Sequence, residues 1–230
     1  MKLKSPLSML VIVLLMSCPS RAEKPSAGTG EEAREVPSKD DIRRMIPDLV
    51  DGPMEGSDRR NIQTLISYGS AILPQLAELI EEQAAADVEP RTRIRISRLL
   101  GIARRINGKH DPILNVCRRR LVEHPDPDIR RYAAKYVGAV GTTNECSILL
   151  PLLTDDNERV RVNAIRALAE LGDQHTLERI ETFLANKHAK LSKEHQEKDY
   201  SVREARKAIE TIKDRLAKAK EAREQDKTDP

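Results

Sequence analysis

Aromatic side chains are almost missing from this sequence: 230 residues hold no tryptophan, one phenylalanine and four tyrosines. Phe183, Tyr68, Tyr132, Tyr136 and Tyr200 are too few to build a platform on which bases or sugar rings stack. An excess of one charge is lacking as well. The chain has 40 basic and 37 acidic residues, and Lys2, Lys4 and Arg21 precede Glu23 with no acid before it, so a chain beginning there carries 37 of each. Nucleic acid is therefore a disfavoured partner, and only a local cluster of cations makes an electrostatic case. No His-Glu-x-x-His pair, Cys–His cluster, phosphate loop, Gly-x-Ser-x-Gly elbow or dinucleotide fingerprint occurs. His110, His124, His175, His188 and His195 are scattered through turns, helix starts and a polar insertion. The expectation is a non-catalytic protein with no cofactor and no metal.

Long apolar runs are lacking after residue 16. The single run, Leu7 to Met16, follows Lys2 and Lys4 and is short of the about 20 residues that span a bilayer. With small residues behind it, this reads as an export signal over 1–22, Ser20 and Ala22 standing at the two small-residue positions of a cleavage site. The alternative is a lipoprotein signal over 1–17, in which "LMSC" ends on a lipidated Cys18; Met16 is unusual in that motif and favours release after Ala22. The expected address is periplasmic or secreted, with a membrane reached only through a lipid on Cys18. Cys117 and Cys146 remain, each in an apolar helical context that favours buried free thiols over a disulfide.

What the chain has in abundance is charge, 33% of its residues, laid over a repeated apolar pattern. "DPDIRRYAAKYVGAVG" at 126–141 returns as "NERVRVNAIRALAELG" at 157–172. In register, Ile129 meets Val160, Ala133 meets Ala164, Tyr136 meets Ala167, Val137 meets Leu168, and Gly141 meets Gly172. These positions fall on one face of a helix. Asp126 and Asn157 are N-cap residues, Pro127 suits the first helical position, and Gly141 and Gly172 are expected to supply permissive backbone at the helix ends. A second helix follows each glycine, so the unit is helix, turn, helix, with a period of 31 residues. Weaker copies lie on both sides. Upstream, Thr92 and Arg93 take the places of Val160 and Arg161; downstream, Ala205, Ala208, Ile209 and Ile212 repeat the stripe after an insertion at 186–199.

The "D-x-D-I-R" and "N-E-R-V-R" openings, the alanines and leucines at fixed offsets and the closing "L-G-D" resemble bacterial HEAT-like repeats, the short kind named for phycobilisome lyases. The resemblance implies an all-α chain: a right-handed α-solenoid of about four to five HEAT-like helix pairs over 38–217. A polar linker over 23–37 precedes it, with residues 38–52 as a capping helix, and a charged tail follows over 218–230. It also implies a scaffold or adaptor that binds a protein partner through second helices such as "CRRRLVE" and "LERIETFLA"; the export signal places that role in the cell envelope, and the seam Val202, Ala205, Ile209, Ile212, Leu216 and Ala219, short for a dimeric coiled coil, favours a docked helix and a monomer. By the same resemblance Arg130 and Arg161 are structural, with Asp126, Asp128, Asp155 and Asp156 as candidate partners. A lyase activity is the more distant alternative that the repeat's name carries.

The one dense cluster outside the repeat frame is basic. Arg91, Arg95, Arg98, Arg105, Arg118, Arg119 and Arg120 are opposed between residues 91 and 121 by Asp111 alone. Guanidinium groups offer forked donors, which makes the set a candidate surface for phosphate, sulfate or a carboxylate-rich partner. Glu78, Glu81 and Glu82 on a neighbouring helix are the internal partners that compete for it.

Overall fold

Asp126 accepts a hydrogen bond from the Asp128 N–H at 2.8 Å, and Asn157 accepts from Arg159 N–H at 2.9 Å, so each repeat's first helix opens on a side-chain cap. The computed structural model describes residues 35–45, 56–85 and 90–226. The helices are α1 (Lys39–Met45), α2 (Gly56–Ser67), α3 (Leu73–Ala85), α4 (Pro90–Ala103), α5 (Asp111–Val116), α6 (Pro127–Val140), α7 (Cys146–Leu149), α8 (Glu158–Leu171), α9 (Gln174–Lys190), α10 (Lys193–Lys198) and α11 (Tyr200–Asp226). There is no strand among the described residues. The expected signal, Cys18 and the expected linker up to residue 34 lie outside them.

The helices stack in two rows. One row runs α2, α4, α6, α8 and α11, each packed on the next; α3, α5, α7 and α9 form the other. The core is the seam between them, and it follows the predicted register. Ile129, Ala133, Val137, Val160, Ala164 and Leu168 are all fully buried. The upstream copy buries Ile96, Leu99, Leu100 and Ala103, and the downstream copy Ala205, Ala208 and Ile212. Small residues set the spacing: a Cβ on Gly138 of α6 would sit 2.6 Å from the Ala167 Cβ of α8. The result is an α-solenoid in which no helix pair buries its apolar face without its neighbours.

The glycines that end α6 and α8 differ from expectation in their reason. Gly141 has φ −77° and Gly172 φ −67°, extended backbone open to any residue. A side chain is disfavoured because its Cβ would meet a carbonyl of the helix just ended and, at Gly172, the next helix as well. A Cβ on Gly172 would stand 2.5 Å from both the Leu168 carbonyl oxygen and the Thr176 Cγ2, and one on Gly141 2.6 Å from the Val137 carbonyl oxygen. Left-handed backbone occurs at Gly69, φ 60°, which turns the first pair, and at Gly108.

The second-row helices are less regular. After α5 the chain widens into a π turn over Cys117–Leu121, and Pro151 brings α7 to a 3₁₀ turn over Leu150–Thr154. Both ends of the stack are covered. At one, Ile42 of α1 is fully buried, while Lys39 and Arg43 pair with Glu82 of α3. At the other, α11 docks on α8 and α9 as a capping helix. Arg215 of α11 donates to the carbonyls of Ala169, Glu170 and Gly172, answering the exposed C-terminal carbonyls of α8. The stretch from Lys218 stays helical to Asp226 but is solvent-exposed throughout.

Candidate functional site

The repeat's arginines form a ladder between successive pairs. Arg93 reaches Asp128 at 3.0 Å and Asp126 at 3.4 Å. Arg130 does more. Its Nε and Nη2 donate side-on to Asp155 at 2.6 and 2.9 Å, and its Nη1 donates to the His124 and Pro125 carbonyls at 2.8 and 3.0 Å. Its side chain is 17% exposed and that of Asp155 6%, so the pair is largely removed from water. Burial alone would raise the Asp155 pKa, but the Arg130 bonds and the Asn157 N–H hold it below the usual carboxylate range. Arg161 repeats half of this arrangement. Its Nη1 donates to the Asp155 and Asp156 carbonyls at 2.8 and 3.0 Å, the places of His124 and Pro125 shifted by one repeat. No acid meets its other edge among the described residues, and its buried Nε has no hydrogen-bond partner.

The arginines between 91 and 120 do not form one stripe. Arg91, Arg95 and Arg98 stand on α4, where Arg95 donates to Gln83 of α3 at 3.2 Å; Arg91 and Arg98 also have partners. Arg105 is exposed on the turn beyond α4. Arg118, Arg119 and Arg120 lie on the π turn of the second row. Arg119 and Arg120 both turn to Glu81 of α3, at 3.2 and 3.6 Å, and Arg118 donates to Asn115. Glu81 is thus the internal partner the charge pattern offered, while Glu78 and Glu82 are engaged by α1.

A second basic feature, missed in the sequence, runs across the first row. Between α4 and α6 a depression of about 110 Å³ is lined by Ser97, Leu100, Gly101, Arg104, Tyr132 and Lys135. Between α6 and α8 a shallower one of about 430 Å³ follows, lined by Lys135, Gly138, Ala139, Asn163, Arg166 and Glu170. Lys135 belongs to both, so the two read as one furrow with small residues along it. Neither Arg104 nor Lys135 makes an ion pair among the described residues. Arg131, which pairs with Asp128 at 3.0 Å, stacks on Tyr132 with its Cζ 4.6 Å from the ring centroid.

The polar groups inside the stack are structural. His110 is buried, with Nε2 donating to the Ile106 carbonyl at 3.0 Å and Nδ1 accepting from the Tyr136 hydroxyl at 2.7 Å. Burial pushes the Tyr136 phenol up. Cys117 and Cys146 are buried free thiols; burial raises Cys117 to about 12 and raises Cys146 as well, which disfavours the thiolate in both. Among the described residues no group of three or more His, Cys, Asp or Glu side chains gathers to hold a metal, and no helix is long and apolar enough to cross a membrane.

The model of the HEAT repeats matches this chain over residues 73–161 and again over 114–197. Among solved structures, the chain is similar to the crystal structure of an engineered protein, at 15% identity and a TM-score of 0.47 over 76% of this chain and 79% of that one. No match is found among curated proteins. The two spans cover more than half of the sequence and coincide with the helix pairs from α3 to α9, and the chain belongs to the HEAT repeat family.

Proposed function

We propose that this protein is a non-catalytic scaffold that holds a partner protein along its first-row furrow, in the bacterial cell envelope. HEAT repeats are suited to protein interaction, because the stack offers a continuous surface that no single pair provides. The observation that carries the reading is the furrow itself. It crosses three helices, is shallow and open, and holds Arg104 and Lys135, neither in an ion pair among the described residues, beside Tyr132, with Glu170 the one acid along its lining. That shape takes an extended acidic segment rather than an enclosed small substrate. The envelope address rests on the signal-like residues 1–22.

Capture from envelope extracts tests it. The protein is expected to retain a specific partner, and the double variant Arg104→Glu, Lys135→Glu to lose it with an unchanged thermal melt. Equal recovery by both would remove the furrow from the account. The competing reading, an anion-binding module on the arginines between 91 and 120, predicts retention on heparin that collapses from low to moderate salt. Fatty-acid labelling that disappears on replacing Cys18 would assign the lipid-anchored form.

A further inference from the structure

The Arg130–Asp155 bridge and the incomplete bridge at Arg161 differ by a single missing group. Both arginines are fixed by Nη1 on two carbonyls of the turn before their own helix, at 2.8 and 3.0 Å in each case. In Arg130 this anchoring turns the Nε and Nη2 edge to the next turn, where Asp155 accepts both. In Arg161 the same edge meets no acid, because the next step of the stack is longer. The N-cap residues Asp126 and Asn157 are 31 residues apart, whereas Asn157 and Asp199, which caps the next first-row helix, are 42 apart. The extra residues prolong α9 and add α10, so the position one repeat after Asp155 is Asn186 on α9. By cap register the corresponding acid is Glu197, which is exposed on α10 and makes no ion pair with Arg161.

A cavity of about 410 Å³ occupies this place. Leu153, Phe183 and Leu191 supply apolar walls, and Arg161, Lys187 and Lys190 the cations. Two acids also line it. Asp155 is already held by Arg130, and Asp156 is exposed; Lys187 pairs with Asp199 at 3.1 Å. What remains uncompensated is the Arg161 edge, including a buried Nε–H with no acceptor. Nε is closed to solvent, so an entering acceptor reaches this edge through Nη2, where a carboxylate offsets the charge that no internal acid meets.

We propose that this cavity is a binding pocket for a carboxylate side chain of a partner protein, which completes at Arg161 the bridge that Asp155 makes at Arg130. The partner's Asp or Glu accepts from the open Nη2 of that edge, and its apolar neighbours rest against Phe183 and Leu191. The pocket deepens the protein-binding reading, on which it rests, by naming one chemical group that the partner must present.

The test is a titration of the ¹⁵N-arginine-labelled chain with acetyl-Leu-Asp-Leu-amide, following the Nε–H resonance that Arg161→Lys deletes. The account expects that resonance to shift and saturate, and the matched acetyl-Leu-Asn-Leu-amide to bind at least about tenfold more weakly, since only the carboxylate is charged. No saturation, equal response to both peptides, or equal displacement by inorganic phosphate would overturn it. So would a shift of the same resonance in Glu197→Gln without peptide, which would make this chain's own Glu197 the occupant. A null titration leaves partner capture through the furrow intact, and a failed capture leaves a saturating titration intact, so the two failures are distinguishable.

Discussion

Replacing Arg130 should cost far more than replacing Arg161, although the repeat gives them the same place. In Arg130→Ala the Asp155 carboxylate, 6% exposed, loses both guanidinium bonds, and the His124 and Pro125 carbonyls lose their donor. Stranding one member of a buried pair costs about 3–5 kcal/mol. In Arg161→Ala two carbonyls lose a charged donor, but no acid is stranded and an unsatisfied buried Nε–H is removed with the side chain. That loss is about 1–2 kcal/mol. The difference, about 2 kcal/mol, corresponds to roughly 4–8 °C in Tm for a chain of this size. Urea unfolding followed by far-UV circular dichroism measures both, with the cycle Arg130→Ala, Asp155→Ala isolating the pair at about 2 kcal/mol of coupling. Equal losses in the two single variants would refute the distinction drawn between a complete and an open bridge.

Other expectations follow from the same geometry. Gly172→Ala should destabilise by about 1–3 kcal/mol, because its Cβ meets Thr176 and the Leu168 carbonyl, whereas Gly101→Ala, with nothing within 4 Å, should stabilise by about 0.5–1 kcal/mol in thermal melts. Asp155 has a lowered folded pKa, so its contribution is present above about pH 4 and is lost as pH falls through the folded value; Arg130→Ala should flatten that acid limb of a stability–pH curve. Burial first, and the Arg130 charge with it, lowers His124 from 6.5 against the pull of Asp126, so stability should fall as pH drops below about 6.5. His124→Gln should remove that slope. A thiol reagent should modify Cys117 only on unfolding, since the side chain is fully buried and its pKa raised to about 12.

The stack was readable in the sequence because its determinants are local. Caps at Asp126 and Asn157, a stripe at helical spacing and alanines at Ala133 and Ala164 all repeat with one period, and each acts within its own helix or on the next. Contacts across the stack were less legible. Four aspartates stood near Arg130 and Arg161 in sequence, and only the step between repeats decides that Asp155 serves Arg130 while Arg161 receives none. The Tyr136 position reads as apolar, and its hydroxyl bond to His110, 26 residues away, has no sequence signal. Arg215 likewise finds the α8 carbonyls more than 40 residues back. The furrow escaped notice because it is made of surface residues from three helices, with Gly101, Gly138 and Ala139 as gaps rather than as a motif. The arginine cluster, prominent in the sequence, is divided by the fold between two rows.

The first row as a binding surface is the central claim, and site-specific photo-crosslinking in envelope extracts tests it most directly. A benzoylphenylalanine is placed at Ala139 in the furrow, or at the exposed Ser147 of α7 in the second row. The account predicts a discrete crosslinked species from Ala139 and none from Ser147. Crosslinking from Ser147 alone would contradict it and move the partner to the other row.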